Sequence, residues 1–139
     1  MSYYFATTTD LAFDEAIERV TAALKDEGFG ILTEIDVAAT FKNKLDVDVP
    51  AYRILGACNP HFAYQAVQAE DKIGTMLPCN VVVRDAGEGQ VEIAAVDPIA
   101  SMQAVKNDQL GEVAQAVRSR LKKVIDQVEA GVQMPDSTL

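Results

Sequence analysis

Two apolar segments joined by a glycine-containing turn limit the folds that this chain can adopt. Residues 79–84 include three consecutive valines that begin at Val81, and residues 90–96 end in the run Ile-Ala-Ala-Val. Between them, residues 86–89 read Ala-Gly-Glu-Gly, which is typical of a β-hairpin turn. Consecutive apolar residues, unlike alternating ones, indicate strands that are covered on both faces. The sequence therefore predicts a hairpin in a sheet with two buried faces.

Apolar spacing and turn residues predict the elements around this hairpin. Three more strands are predicted over residues 2–8, 30–36 and 52–58. The helices are predicted from a cap at Thr9 or Asp10 to Gly28, over 37–45, from Pro60 to about Glu70, as a short turn over 99–105, and from about Leu110 to Gly131. The order β-α-β-(short α)-β-α-β-β-α predicts an α+β fold, in which helices pack on a single sheet of about five strands.

The length of 139 residues suits one domain. We place it at residues 1–131 and expect a frayed C-terminal tail at 132–139. If the helices cover only one face of the sheet, a second copy of the chain is the simplest cover for the other face. The sequence therefore predicts a sheet-mediated homodimer.

The net charge of −9 disfavours binding to nucleic acids and to anionic membranes, because phosphate groups repel an acidic surface. No apolar stretch approaches the ~20 residues needed to cross a bilayer. The N-terminal residues lack the pattern of a secretory signal. Two cysteines are too few for a disulfide framework. We therefore expect a cytoplasmic protein with reduced thiols.

One corner of the predicted fold contains reactive side chains. Cys58 directly precedes Asn59 and Pro60, which are a preferred N-cap and a preferred first helical residue. The partial positive charge of a helix N-terminus lowers the pKa of a nearby thiol. His61, the single histidine, lies in the first turn of that helix, and Cys79 opens the next strand. If the two strands pair side by side, the two sulfur atoms lie close together.

These residues allow several interpretations. Cys58, His61 and Cys79 provide three ligand types for an open zinc site. Together with Asn59 and Asn80, they form a candidate site for a small ligand. The two thiols are also candidates for a reversible disulfide. The structural alternative is that both cysteines are simply packed as small apolar residues.

The sequence contains no familiar catalytic motif. There is no glycine-rich phosphate loop between a strand and a helix, and no nucleophile elbow around a serine. The sequence therefore identifies no cofactor and no reaction class, and it leaves open whether the protein is an enzyme.

Three segments resemble a known family: GFGILTEID at residues 28–36, YRILGACNP at 52–60 and LPCNVVVR at 77–84, together with Asp97, Pro98 and Met102. The chain resembles the family catalogued as domain of unknown function 302 over residues 12–128. This resemblance implies a compact bacterial or archaeal α/β domain that tends to form homodimers. It implies no established activity. The two family cysteines correspond to Cys58 and Cys79, and the resemblance assigns them no role.

Three functional hypotheses follow. The first is a dimeric domain that binds a small ligand or metal near Cys58 and Cys79 without catalytic turnover. The second is a thiol enzyme or redox sensor, in which Cys58 attacks and Cys79 resolves the mixed disulfide. The third is a structural or protein-interaction module.

Overall fold

The structure is a computed structural model that describes residues 2–131. Its strands are β1 (Tyr4–Thr9), β2 (Gly30–Asp36), β3 (Tyr52–Cys58), β4 (Cys79–Gly87) and β5 (Gln90–Val96). Its helices are α1 (Phe13–Asp26), α2 (Val37–Leu45), α3 (Pro60–Ala69), α4 (Pro98–Ser101) and α5 (Gln109–Gly131), with a short 3-10 helix at Ile73–Met76. The predicted order is present, and the 3-10 helix is additional. The predicted frayed tail lies outside the described residues.

The five strands form one antiparallel sheet in the order β1-β5-β4-β3-β2. The predicted hairpin, β4 and β5, lies at its centre, and its turn contains Gly87, Glu88 and Gly89, all at positive φ. The prediction of an α+β fold with a single sheet of five strands and packed helices is confirmed.

Helices α1 and α5 cover one face of the sheet and enclose the main core with it. Val81, Val83, Ile93 and Ala95 point into this core and are fully buried. They alternate with half-buried residues along β4 and β5. The apolar stripe of α5 supplies the other side of the core, with Leu121 and its neighbours along the helix.

The first helix begins later than the sequence indicates. The predicted caps, Thr9 and Asp10, precede an N-cap at Ala12. The carboxylate of Glu15 accepts a hydrogen bond from the Ala12 N–H at 3.3 Å. Thr9 instead accepts from the Leu11 N–H at 3.2 Å. The other end agrees with the prediction, because Gly28 follows the helix with a φ of +88°.

The other face of the sheet is open in the described part of the chain. Val82 and Ala94 lie on it and are half-buried, in contrast to their fully buried neighbours. Helix α2 lies beside this face, where Val37 and Phe41 form a groove with Tyr52 and Ile54. No residue of α2 is buried. Residues 2–131 therefore cover only one face of the sheet, which is the condition under which the sequence predicts a second copy.

Among residues 2–131, none of the helices has the length and hydrophobicity required to span a membrane.

Candidate functional site

The strands that carry the two cysteines are neighbours. In the antiparallel pairing of β3 with β4, Ala57 lies opposite Cys79, and Gly56 lies opposite Asn80. Cys58 follows Ala57 at the end of β3, so it lies diagonally next to Cys79. This confirms that the segments ending at Cys58 and beginning at Cys79 fold side by side.

Both cysteines line a cavity of about 300 Å³ at this end of the sheet. The cavity lies between the ends of β3 and β4, helix α3, the first half of α5 and the region of α4. Apart from the two thiols and one amide, every lining side chain is a hydrocarbon or a thioether. The lining residues are Phe29, Leu32, Ala57, Cys58, Asn59, Phe62, Ala63, Ala66, Leu77, Pro78, Cys79, Pro98, Met102, Val113, Ala114 and Val117.

Small residues on the helices leave room for this cavity. Helix α3 packs mainly against α5. Its inner face carries Phe62, Ala63 and Ala66 at helical spacing. Ala114 faces them from α5. The sequence predicts a small inner face made of Ala63, Ala66 and Val67, which would let the helix lie close to the sheet. In the structure, Ala63 and Ala66 instead border an unfilled space, and Val67 is 47% exposed.

A β-bulge forms part of the rim. Ile31 pairs with Ala57 and Thr33 pairs with Gly56, so Leu32 is an extra residue in β2. Bulges often redirect a side chain next to a functional site. Leu32 lines the cavity and yet is 67% exposed. It is therefore positioned at the mouth of the cavity.

Gly56 permits the close packing beside this bulge. A Cβ atom at this position would collide with the Thr33 hydroxyl and would lie 2.8 Å from Pro78 Cγ. A side chain here would therefore displace the strands at the rim.

Asn59 is the one amide in the cavity wall, and its side chain does not cap α3. The helix does begin at Pro60, as predicted. The Asn59 Nδ2 atom donates to the carbonyl oxygen of Glu27 at 3.3 Å. Arg120 donates to the same oxygen at 3.2 Å. A buried Asn59 thus connects the end of α1 to the start of α3.

Two predicted site residues lie elsewhere. His61 is exposed and does not line the cavity, because helical spacing directs Phe62 and Ala63 inward instead. Asn80 is also exposed and faces the opposite side of the sheet, since side chains alternate along β4. The structure thus brings together Cys58, Asn59 and Cys79, without His61 or Asn80.

The predicted zinc site does not form. Within residues 2–131, no group of three or more His, Cys, Asp or Glu side chains is arranged to hold a metal ion. The physical reason is the outward position of His61, which leaves two cysteines without a third ligand from the predicted set.

The thiols are not activated. Burial raises the pKa of Cys58, whereas the sequence predicts that the helix N-terminus lowers it. Burial, together with the nearby Cys58, raises the pKa of Cys79 to about 11. Because their pKa values are raised, both thiols are protonated at neutral pH. They are weakly reactive there, since the thiolate is the nucleophilic form.

Several lining residues have no counterpart in the sequence-based site, notably Leu32, Phe62 and Met102. The spacing of Asn59, Phe62, Ala63 and Ala66 indicates which side of α3 faces inward, so it also identifies Phe62. Nothing in the sequence indicates that Leu32 sits at a bulge.

The fold and the cavity together define a small α+β domain whose sheet is packed with helices on one face, with an apolar cavity at one end of that packing. The chain belongs to the family described as domain of unknown function DUF302, whose model matches residues 5–128. It is similar to the crystal structure of an uncharacterized conserved DUF302 protein from Bacillus stearothermophilus, with a TM-score of 0.84 and 27% sequence identity. That match covers 92% of this chain and 99% of the other. No curated protein matches the chain.

Proposed function

We propose that this domain binds a small apolar molecule in the cavity beside Cys58 and Cys79, without catalytic turnover. The observation that carries this proposal is a cavity of about 300 Å³ with an almost entirely apolar lining. Sites for small molecules are typically concave and mostly hydrophobic, with a few polar groups. This cavity matches that description, and the amide of Asn59 is its polar group.

The size of the cavity indicates the size of the ligand. An apolar cavity of ~150 Å³ stays dry and accepts benzene. The present cavity, at about 300 Å³, has about twice that volume. A linear chain of about eight carbons is therefore a reasonable occupant. Its binding would be driven by removing apolar surface from water.

The state of the thiols favours binding over thiol chemistry. Protonated cysteines behave as small hydrophobic groups. Burial keeps both sulfurs protonated at neutral pH, so they serve as apolar walls. The redox hypothesis requires a low thiol pKa, so the raised pKa values of Cys58 and Cys79 do not support it. Both cysteines are free, which fits a reducing compartment, and we propose a cytoplasmic location.

Binding of 1-octanol, measured by isothermal titration calorimetry, tests this function. We expect saturable binding to the wild type and a loss of about tenfold or more in Ala63→Leu, because the larger side chain occupies the cavity. Ala66→Val is a second cavity-filling variant. Ala22→Leu is the matched control, since Ala22 is exposed on α1 and away from the cavity. The proposal would be contradicted if the wild type did not bind 1-octanol, or if both cavity-filling variants bound it as tightly as the wild type does.

We also propose that the open face of the sheet pairs with a second copy of the chain. Tyr52, Val82 and Ala94 lie on this face around the ion pair between Arg84 and Glu92, whose Nε and Oε1 atoms are 2.7 Å apart. A hydrophobic surface with a central pair of opposite charges is self-complementary under two-fold symmetry.

Helix α2 supports the same pairing. It has nine residues and no buried residue, and isolated helices below ~12–15 residues are marginal in water. Phe41 is 39% exposed and Leu45 is 66% exposed. A second copy on the adjoining open face would cover these side chains and stabilise the helix.

Light scattering coupled to size-exclusion chromatography tests this dimer. We expect twice the 15.0 kDa of one chain for the wild type, and a single-chain mass for Val82→Glu and Ala94→Glu. Ala22→Glu adds the same charge on exposed α1 and should remain dimeric. A wild type of single-chain mass would refute the dimer, and so would a dimeric form of both open-face variants.

A further inference from the structure

A second, polar groove adjoins the apolar cavity. It lies between α3 and the start of α5, and it has a volume of about 480 Å³. Phe62 and Val113 line both the groove and the cavity. The two spaces are therefore neighbours that share these two side chains in their walls.

The chemistry of the groove differs from that of the cavity. Its polar lining consists of Gln65, Gln68, Gln109 and Glu112. Each glutamine amide offers two N–H donors and a carbonyl acceptor, and a carboxylate accepts hydrogen bonds. Gln68 already donates to the Tyr64 hydroxyl at 3.1 Å, which leaves its carbonyl oxygen available. This lining suits a group that both donates and accepts hydrogen bonds.

The charge of the groove disfavours an anion. Its described lining residues include Glu112 and no lysine, arginine or histidine. Arg120 lies over the Phe62 ring at 5.3 Å, but it donates to the Glu27 carbonyl and does not line the groove. An anionic head in the groove would therefore meet a like charge without a compensating cation.

We infer that the ligand is amphipathic: its hydrocarbon chain fills the apolar cavity, and an uncharged, hydrogen-bonding head such as a primary amide lies in the glutamine groove. This inference rests on the proposed function and specifies its ligand class. It distinguishes an amide from a fatty-acid anion with the same chain.

A comparison of octanamide with octanoate tests the inference by calorimetry near neutral pH, where octanoate is ionised. We expect octanamide to bind the wild type about tenfold or more tightly than octanoate. Glu112→Gln should strengthen octanoate binding about threefold or more relative to octanamide binding, and so reduce the preference for octanamide. The matched control is Glu129→Gln, which removes the same charge from an exposed position on α5, outside the groove, and should alter neither affinity.

The outcomes separate the inference from the proposed function. Equal binding of the two compounds by the wild type would overturn the inference, and so would equal effects of Glu112→Gln and Glu129→Gln. If Ala63→Leu still abolishes binding in those cases, the cavity remains the binding site and only the position of the head is wrong. If neither Ala63→Leu nor Ala66→Val weakens either compound, the proposed function fails as well.

Discussion

The replacement of Ala63 by leucine tests whether the cavity beside α3 accommodates additional carbon atoms. Ala63 lines the cavity and is half-buried in α3. In a close-packed core, extra methylene groups strain their neighbours and cost about 1–3 kcal/mol. Next to an unfilled apolar space, the same groups are removed from water without strain and stabilise the fold.

The magnitude follows from the number of added carbons. Leucine has three more side-chain carbons than alanine, and burial of each contributes about 0.8 kcal/mol. Full burial would therefore give about 2.4 kcal/mol. Since Ala63 is only half-buried, we expect about half of this, an increase of about 1 kcal/mol in the free energy of unfolding. Leucine has nearly the helix propensity of alanine, so the backbone contribution is small.

Urea denaturation of the wild type and Ala63→Leu measures this difference, with Ala22→Leu as the exposed-surface control. The control should change stability by no more than about 0.5 kcal/mol. We expect Ala63→Leu to be more stable than the wild type and to gain no further stability from added 1-octanol. A loss of 1 kcal/mol or more would show that protein atoms already fill the space beside Ala63, and it would contradict the assignment of a cavity there.

Three further predictions concern the rim, the thiols and the amide. Gly56→Ala should destabilise the fold by about 1–3 kcal/mol in urea titrations, and adding Thr33→Ala to this variant should restore part of the loss. A loss below about 0.5 kcal/mol for Gly56→Ala alone would contradict the close contact. Because the folded-state pKa of Cys79 is about 11 and its unfolded value is ~8.5, its contribution to stability is present below pH ~8.5 and is lost as the pH rises through 11. The wild type should therefore lose about 2–3 kcal/mol more than Cys79→Ala between pH ~8 and ~11, and parallel profiles would refute this. Asn59→Asp removes the donor to the Glu27 carbonyl and buries a carboxylate, so it should lower the free energy of unfolding by about 2–3 kcal/mol at neutral pH. Equal stabilities of the variant and the wild type would contradict this.

The sequence predicts most of the fold because its local signals agree with the tertiary packing. The turn glycines and the valine-rich strands define the central hairpin, and Gly28 ends the first helix at the expected place. The cap of α1 differs because Glu15 makes the hydrogen bond that a side chain at Thr9 or Asp10 was expected to make. A carboxylate three residues into a helix is a competing capping signal.

The candidate site was only partly predictable. Pairing of neighbouring strands brings Cys58 and Cys79 together, as the strand order suggests. The exclusion of His61 and Asn80 follows from side-chain periodicity in α3 and β4, which the sequence contains. The cavity itself does not follow from the sequence, because alanines such as Ala63 and Ala66 permit either close packing or an open space. Only the position of α3 relative to α5 distinguishes these two outcomes.

The most direct test of the proposed binding is NMR of methionine methyl groups during a titration with 1-octanol. Met102 lines the cavity and is 9% exposed, whereas Met76 is 38% exposed and lies outside the lining. We predict a saturable shift of the Met102 methyl resonance, with Met76 unchanged, and loss of the shift in Ala63→Leu. An unperturbed Met102 resonance at 1-octanol concentrations that saturate calorimetric binding would contradict the assignment of this cavity as the binding site.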